Sequence, residues 1–425
     1  MYSFIKRAFV SIFALALAGT AFAESQLDSL IIIALKNNPE IKMARYESRA
    51  AQTQISVARQ LPDPQLKISG MNVPSNFSLT YDMMTMLPQI LVMQMFPWFG
   101  KLDAASNIRK YRYEASADRL SNISLEVIAN IKKVYGEIYR IQKSIEYLEY
   151  KRDLLRSVVK VAEQLFAVGQ VPQQDVFRAT AELTMVQSDI ITMNAMLSDQ
   201  YAKLAALIGS SRIPSIRVDT LQMVSLPPLD SLEYAFRQDN PYLRQIQNLR
   251  SAAEAKTIFA RKDAIPDINV GISYGYRGAL MPDGAKAYDM LNFEVGLSLP
   301  IFFLTKQKKM IEEADFMKRA TDEEYTTAEL SLTSQLRSTY ADAYAQSKLI
   351  PLYAKELIPQ YEATYNSSLS AYSVGKTTFA MLIDNLTTLI NTKIELVKIE
   401  SLYFSATAEI SKLVGEGSLR FRGEE

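Results

Sequence analysis

The sequence predicts a mostly α-helical protein with a small transmembrane β-barrel part. It is built from two copies of one helix–strand–strand–helix–helix unit. Gly and Pro are scarce, at 15 and 16 of 425 residues, so few turns interrupt the chain and long elements are favoured. Short motifs recur in the same order about 200 residues apart, which indicates a duplication. Each copy has room for two strands of about ten residues, giving four strands per chain.

Composition excludes several classes of function. The chain has no Cys and no His, so it lacks disulfides, thiolate sites and the commonest general base and metal ligand. Its 47 basic and 46 acidic residues argue against nucleic-acid binding, which usually needs a basic domain. No nucleophile elbow, phosphate loop or metal-ligand cluster is found in the sequence. We therefore expect no enzyme activity, no cofactor and no nucleic-acid partner.

Residues 1–23 are predicted to be a cleaved signal peptide. Lys6 and Arg7 precede an apolar run over 8–18, and small residues end at a cleavage site after Ala23. The alternative is a membrane anchor, but the run is too short to span ~30 Å of hydrocarbon. The sequence therefore indicates export.

The internal repeat predicts the domain boundaries. Six motifs match at offsets between 202 and 206 residues. The pairs are Leu27-Asp28-Ser29-Leu30 with Leu229-Asp230-Ser231-Leu232, Asn38-Pro39 with Asn240-Pro241, Leu61-Pro62-Asp63 with Ile265-Pro266-Asp267, Pro97 with Pro300, Tyr135 with Tyr340, and Val168-Gly169 with Val374-Gly375. We expect a first repeat over 24–210, a connecting segment over 211–228, a second repeat over 229–415 and a tail over 416–425.

The helices follow the same plan in both copies. In the first copy we expect a helix over 26–60, a long Pro-free helix over 101–167, a turn, and a further helix to about Ile208. In the second copy, Pro351 and Pro359 predict a kink. The helix after the first turn carries a coiled-coil seam with alternating spacings of three and four residues. Its members are Val176, Ala179, Leu183, Val186, Ile190, Met193 and Leu197.

The predicted strands cover about 64–74, 87–97, 267–277 and 290–300. In the second copy, apolar and polar or small residues alternate cleanly, and each run is long enough for a tilted strand to cross a bilayer. The alternative is a soluble sheet with one buried face, which predicts the same alternation. The export signal and the long helices favour the membrane.

Membrane insertion predicts a homotrimer. Open sheet edges are not tolerated in lipid, and four strands cannot enclose a pore, whereas three chains supply twelve strands. Closure alone does not fix the number of chains at three. Aromatic residues beyond the strand ends are expected to form an interfacial girdle. They are Phe96, Trp98, Phe99, Phe302 and Phe303.

The chain resembles a TolC-family outer-membrane efflux protein, the outer-membrane factor of a tripartite efflux or secretion system. The resemblance covers the duplicated halves, the two strand hairpins, the turn Tyr372-Ser373-Val374-Gly375-Lys376 and the junction Pro97-Trp98-Phe99-Gly100-Lys101. It implies a trimeric 12-stranded barrel in the cell outer membrane, continuous with a periplasmic α-helical barrel. It also implies contact with outer-membrane lipid, a periplasmic adaptor (membrane fusion) protein and an inner-membrane pump. The implied function is export of substrates from the periplasm or the pump to the exterior, including type I secretion.

The resemblance implies an acidic ring at the periplasmic mouth. The ring positions lie six and nine residues after the second turn glycine, at Met381 and Asp384. Only Asp384 keeps a carboxylate, so a single ring of three carboxylates is expected, which would attract cations. The alternative is that Asp384 is simply a solvated helix residue.

The resemblance also implies a lock that keeps the mouth closed and tips that dock on the adaptor. The lock candidates are Tyr372, Asp175, Lys376 and Thr377, with a threonine where an arginine is expected. The tip candidates are Val168, Gly169, Val374 and Gly375. As plain helix-ending glycines, Gly169 and Gly375 would need no function.

Two further readings stay open. Six Met fall between Met71 and Met95, and aligning Pro97 with Pro300 puts Met93 and Met95 at lumen-side positions. Thioether sulfur suits Cu(I) or Ag(I), although Met is also a flexible apolar filler. The alternative class is a periplasmic coiled-coil scaffold or adaptor protein without a pore. An adaptor should also carry a compact β-rich carrier domain, and the sequence shows none.

Overall fold

The computed structural model describes residues 26–73, 84–212 and 214–415. The predicted signal peptide and C-terminal tail lie outside these residues. The chain divides into two compact units. The strand unit comprises 44–120 and 242–330, and the helical unit comprises the described residues of 1–43, 121–241 and 331–425.

The two copies contain the same elements in the same order. The first copy contains α1 (Gln26–Asn37), α2 (Pro39–Arg59), β1 (Gln65–Met71), β2 (Met86–Phe96), α3 (Lys101–Ala167) and α4 (Gln173–Leu207). The second copy contains α5 (Leu229–Asp239), α6 (Pro241–Asp263), β3 (Ile268–Gly275), β4 (Met290–Leu297), α7 (Gln307–Leu352), a π-helical turn (Tyr353–Leu357), α8 (Ile358–Ser373) and α9 (Phe379–Val414). The predicted mostly helical, duplicated fold with four strands is confirmed.

The helix predicted over 26–60 is in fact two helices, and the sequence explains the break. Pro39 has no N–H to donate, and it disfavours helical backbone at the residue before it. Asn38 caps the second helix, because its Oδ1 accepts from the backbone N–H of Glu40 at 2.8 Å and of Ile41 at 3.2 Å. The repeated Asn240-Pro241 pair separates α5 from α6 in the same way.

Both asparagines also fasten the end of their own copy. The side-chain Nδ2 of Asn38 donates to the carbonyl of Leu207 at 2.8 Å, and that of Asn240 donates to the carbonyl of Leu413 at 2.7 Å. The acceptors are the orphan carbonyls at the ends of α4 and α9, so each bond satisfies a group that the helix leaves unpaired. The two copies therefore close by the same contact.

The glycine that follows each of these helices is required by close approach. Gly209 has φ +66°, and a Cβ there would lie 2.6 Å from the carbonyl oxygen of Asn37. Gly415 has φ +74° and lies against the carbonyl of Asp239. Only glycine combines left-handed backbone with room for this contact.

Between Pro351 and Pro359, where a kink is predicted, the structure has the π-helical turn Tyr353–Leu357. Proline removes a backbone donor from the helix interior, and a π-turn re-satisfies the ladder with a wider hydrogen-bond step. The helix therefore continues through the prolines with a changed step.

The core of the helical unit contains the predicted coiled-coil seam. Ala179, Val186 and Ile190 are buried, and Leu183 and Met193 pack against the same cluster. The partners come from α3, α8 and α9 and include Leu148, Leu155, Val158, Leu382, Leu386 and Leu389. The seam is therefore a packing surface, as its spacing predicts.

The connecting segment between the copies is held in the helical unit by long polar side chains. Gln142 Nε2 donates to the carbonyl of Ile216 at 2.7 Å, and Gln142 Oε1 accepts from the N–H of Val218 at 2.8 Å. The hydroxyl of Tyr403 donates to the carbonyl of Val224 at 2.6 Å. These bonds satisfy backbone groups that lie outside any regular element.

The strand unit contains a four-stranded antiparallel sheet in the order β1-β2-β3-β4. The central pair β2–β3 joins the two copies, with Val92 opposite Ile272 and Phe96 opposite Ile268. The outer edges of β1 and β4 have no strand partner among the described residues. The sheet therefore presents two free edges.

Candidate functional site

One face of the sheet is apolar and exposed. Pairing places twelve large apolar side chains on it, all exposed in the single chain. They are Leu66, Ile68, Ile90, Val92, Phe96, Val270, Ile272, Tyr274, Leu291, Phe293, Val295 and Leu297. Soluble monomers rarely expose a contiguous apolar surface of this kind. We call it the apolar sheet face.

The opposite face is mostly polar or small. Hydrogen bonds cross it from Gln89 Nε2 and from Asn292 Nδ2 to the same Ser273 Oγ, at 3.3 and 3.2 Å. Other members include Gln65, Lys67, Ser69, Asn269, Gly271, Glu294 and Gly296. This polar sheet face is suited to water, whereas the apolar sheet face is suited to lipid.

Met93 and Met95 lie on the polar sheet face. Met93 is opposite Gly271 on one side and Gln65 on the other, and Met95 is opposite Asn269. The alignment of the two repeat prolines leads to the same face. Among the residues the structure describes, no cluster of three acidic side chains could hold a metal ion.

A buried lysine fastens the end of β2 to the start of β3. Lys101 is 4 % exposed, and its Nζ donates to Asp267 Oδ1 at 2.8 Å and to the carbonyl of Ile265 at 2.9 Å. A second carboxylate, Asp263, lies 3.5 Å from the same Nζ. Asp267 Oδ1 also accepts from the backbone N–H of Trp98 at 2.9 Å. The first turn of α3 is therefore bonded to the chain that enters β3.

The two predicted tips are tight turns with left-handed glycines. Gly169 and Gly375 have φ values of +73° and +71°, and a Cβ at either position would meet nothing within 4 Å. Val168 and Val374 are 68 % and 64 % exposed. Each turn therefore places one apolar side chain in solvent beside a backbone conformation that favours glycine.

Tyr372 lies inside the helical unit, within range of the charge of another predicted lock residue. It is 2 % exposed, and its ring packs edge-on against Phe379 with a centroid separation of 5.9 Å. Burial, and then the negative charge of Asp175, raise the pKa of Tyr372. The hydroxyl has no hydrogen-bond partner among the described residues. The Asp175 charge therefore acts on Tyr372, and no hydrogen bond joins the two side chains among the described residues.

The remaining predicted lock residues lie in the turn itself. Lys376 is exposed, and its backbone N–H donates to the carbonyl of Ala371 at 2.8 Å. Thr377 is half-buried. Within the described ranges, no ion pair joins Lys376 to an acidic side chain.

Met381 and Asp384 lie in the first turns of α9. The helix begins after Thr378, whose Oγ1 accepts from the backbone N–H of Met381 at 3.3 Å. Met381 and Asp384 are spaced i and i+3, so they lie on one helix face, and both are exposed. That face is opposite the stripe that includes the buried Leu382 and Leu386.

Sequence reasoning missed the Lys101 cluster and a second charged cluster around Glu409. Glu409 is 8 % exposed and accepts from Lys133 and Lys412. Burial opposes its ionisation, but these hydrogen bonds outweigh burial and hold the pKa of Glu409 below its ordinary value. The repeated Pro-Asp motif and the junction lysine were signals for the first cluster. No local motif marked the second.

No helix in the described part of the chain combines the length and the apolar character that crossing a bilayer requires.

The duplicated helical fold and the two-faced sheet agree with the comparison to known families. A family model described as "Outer membrane efflux protein" matches residues 30–210 and 232–416, and the chain belongs to that family. Its location is the outer membrane. The predicted membership and location are thereby confirmed.

Known relatives span most of the chain. It is 22 % identical to outer membrane protein TolC of Escherichia coli K12, over 92 % of this chain and 83 % of that one. It is 23 % identical to the cation efflux system protein CusC of Escherichia coli K12, over 71 % of this chain and 67 % of that one. A crystal structure of CusC superposes with a TM-score of 0.79 at 18 % identity, covering 93 % of each chain. This similarity shows the shared fold.

Proposed function

We propose that three copies of this chain form an outer-membrane channel that exports substrates from the periplasm or an inner-membrane pump to the exterior. The channel works in a tripartite efflux or type I secretion system with a periplasmic adaptor and the pump. One observation carries the proposal: the exposed apolar sheet face is backed by a polar face and bounded by two free edges. Lipid would cover the apolar face, and neighbouring copies would pair the edges.

The alternative, a periplasmic scaffold or adaptor without a pore, leaves this surface in water. Phe293 and Val295 are 75 % and 77 % exposed, and neither has a function in such a protein. Exposed apolar strand edges of this kind promote aggregation in soluble proteins. The channel accounts for both features, and the scaffold for neither.

Replacing one residue on each sheet face tests the proposal. Phe293→Arg places a charge on the apolar sheet face, where an arginine facing lipid costs about 2–4 kcal/mol near the bilayer centre. Glu294→Arg is the matched control, because it introduces the same side chain at the next position on the polar sheet face. We expect Phe293→Arg to lose heat-modifiable trimers from the outer-membrane fraction and Glu294→Arg to keep them. Retention of outer-membrane trimers by Phe293→Arg would contradict the placement of the apolar sheet face against lipid.

We propose that Asp384 forms the single acidic ring at the periplasmic mouth, with Met381 one turn earlier in the helix. Exposure of both side chains on one face of α9 supports this role. Asp384→Ala should weaken block of the channel by multivalent cations, because three carboxylates are removed from one axis. Met381→Ala is the control on the same face and should leave cation block unchanged. Unaltered block in Asp384→Ala would remove this residue from the constriction.

We propose that the mouth is restrained by the packing of Tyr372 near Asp175, with Lys376 and Thr377 in the adjoining turn. The support is the burial of Tyr372 against Phe379 and the proximity of the Asp175 charge. Asp175→Asn should change the open fraction of the channel without altering its fully open conductance. An unchanged open fraction would exclude a role for Asp175 in the lock.

We propose that the tips around Val168-Gly169 and Val374-Gly375 dock on the adaptor. Each tip combines an exposed valine with a left-handed glycine. A photocrosslinking probe at residue 376 should capture the adaptor in cells. A probe at Tyr234, which is 71 % exposed in the same unit, is the control and should not. Equal capture at both positions would contradict docking through the tips.

The cargo has one specific candidate, a soft cation such as Cu(I) or Ag(I). The support is the placement of Met93 and Met95 on the polar sheet face, because thioether sulfur is a soft ligand. The similarity to a cation efflux system protein points in the same direction. Cells carrying Met93→Leu/Met95→Leu should lose copper tolerance while keeping trimers. Full tolerance in these cells, together with its loss on deletion of the gene, would exclude these methionines.

A further inference from the structure

The two copies within one chain are joined by a contact that suggests how two chains are joined. At the central strand pair, Lys101 follows β2 and bonds Asp267, which precedes β3. The carbonyl of Ile265 accepts a second hydrogen bond from the same lysine. The lysine of one copy is thus fixed by the Pro-Asp motif of the other copy.

The repeat supplies a second set of the same groups. Asp63 in Leu61-Pro62-Asp63 corresponds to Asp267 in Ile265-Pro266-Asp267. The offset between copies is 203 at Pro97 and Pro300 but 205 at Tyr135 and Tyr340, so two residues are inserted between these positions. The segment 301–306 before α7 is a run of turns, which accommodates the insertion. Lys306 then corresponds to Lys101.

This second lysine and aspartate are not used within the described chain. Both are exposed, and neither side chain has a hydrogen bond or ion pair with another described residue. Lys101, by contrast, is almost fully buried among its partners. The described chain therefore contains one lysine–aspartate pair, Lys101 with Asp267, and the two members of a second pair, Lys306 and Asp63, which do not meet. These two residues are the halves of the second pair.

The two halves flank opposite edges of the sheet. Asp63 precedes β1 and Lys306 follows β4, and β1 and β4 are the first and last strands. Suppose that β4 of one chain pairs with β1 of a neighbouring chain in the way that β2 pairs with β3. The register then follows from the pairing of Val92 with Ile272. In this register, Val295 lies opposite Ile68 of the neighbouring chain. This pairing brings Lys306 to the position of Asp63.

We propose that the Nζ of Lys306 in each chain donates hydrogen bonds to the carboxylate of Asp63 and the carbonyl of Leu61 in the neighbouring chain. These bonds close the ring of chains at the barrel–helix junction. The proposal rests on the proposed trimer and names the residues that fasten its interface. The second carboxylate is missing at this interface, because Asp263 corresponds to Arg59. The lysine between two chains would therefore pair with a single carboxylate, that of Asp63.

Cysteine crosslinking tests this contact directly, since the chain has no native Cys. A lysine–aspartate bond spans more than the ~7 Å between Cα atoms that a disulfide allows, so a short bismaleimide joins the two thiols. Asp63→Cys/Lys306→Cys should give bands of two and three linked chains on a denaturing gel. Lys101→Cys/Asp267→Cys is the matched control and should give only an internal link with monomer mobility. A purely internal link in Asp63→Cys/Lys306→Cys would overturn the proposal.

A second pair of cysteines separates failure of this contact from failure of the trimer. Leu66→Cys/Leu297→Cys links the strand edges in the inferred register without involving the charged pair. Links between chains at the strand edges, with none at the junction, would overturn the proposal and leave the trimer intact. No link between chains from either pair, together with a monomeric mass in detergent, would overturn the proposed function as well.

Charge reversal gives an independent measurement. Asp63→Lys or Lys306→Asp alone should lower the detergent-resistant trimer fraction about tenfold, the scale of one charged hydrogen bond. The double reversal Asp63→Lys/Lys306→Asp should restore most of the trimer. Unchanged trimer in both single variants, or no rescue by the double variant, would contradict the pairing.

Discussion

Asp267→Asn should weaken the junction between the sheet and α3. The substitution keeps the shape of the side chain but removes the charge opposite Lys101, whose side chain is only 5 % exposed. Breaking a buried pair by removing one partner costs about 3–5 kcal/mol. Two features reduce this figure: Asp267 is 20 % exposed, and Asp263 remains 3.5 Å from the lysine. We therefore expect a smaller loss, of about 2–3 kcal/mol.

The fluorescence of Trp98 measures this loss at the site itself. Trp98 is the chain's single tryptophan, and its backbone N–H donates to Asp267. In a denaturant titration followed by Trp98 fluorescence, the unfolding midpoint should lie at a lower denaturant concentration in Asp267→Asn than in the native protein.

Asp103→Asn is the matched control for this prediction. Asp103 is 70 % exposed, and its contact with Arg59 spans 3.9 Å, so it should contribute no more than about 0.5 kcal/mol. Either of two results would refute the conclusion that the buried pair stabilises the junction. One is an unchanged denaturant midpoint in Asp267→Asn, and the other is an equal shift of the midpoint in both variants.

Three further predictions concern other parts of the chain. Tyr372→Phe removes a buried hydroxyl that has no hydrogen-bond partner among the described residues, so thermal stability should stay within about 1 kcal/mol of native. A loss above about 2 kcal/mol would contradict this. Because the pKa of Glu409 is lowered in the folded protein, its carboxylate stabilises the fold at pH values above its ordinary pKa of 4.5. This stabilisation is lost as the pH falls through the lower pKa of the folded state. Denaturant midpoints from pH 7 to pH 4 should fall less steeply in Glu409→Gln, and parallel curves would contradict this. Trp98 is 37 % exposed beyond the end of β2 and should be quenched more by lipids brominated near the headgroup than near the chain end. Equal quenching at both depths would place it outside the interface.

Much of the fold could be predicted because it depends on local pattern. A Pro-free sequence over 101–167 predicts one long helix, and the structure has α3 over that range. Spacing alone identified the seam of α4, since heptad positions that recur every three or four residues lie on one side of a helix. The repeat alignment at Pro97 and Pro300 gave the same sheet face for Met93 that strand pairing gives.

Contacts between distant residues could not be predicted in the same way. Asn38 and Pro39 form a repeated pair, but the sequence pattern predicts one helix through them, whereas the structure has two. The bond from Asn38 to Leu207 joins residues 169 apart, and no local spacing encodes it. Lys101 reads as an ordinary charged residue at a helix start until the fold brings Asp267 to it.

The proposed mouth and tips remain predictions. The structure places Asp384 and Met381 on one exposed face and Tyr372 near Asp175. In the proposed trimer, their roles depend on where the three chains meet.

Planar-bilayer recording of the purified protein tests the central claim most directly. If three chains close their sheets into one water-filled barrel, the protein should insert in discrete conductance steps of uniform size. Cations added on the periplasmic side should block the current. Protein that enters no bilayer, remains monomeric in detergent and carries no current would contradict the channel and leave the apolar sheet face without a function.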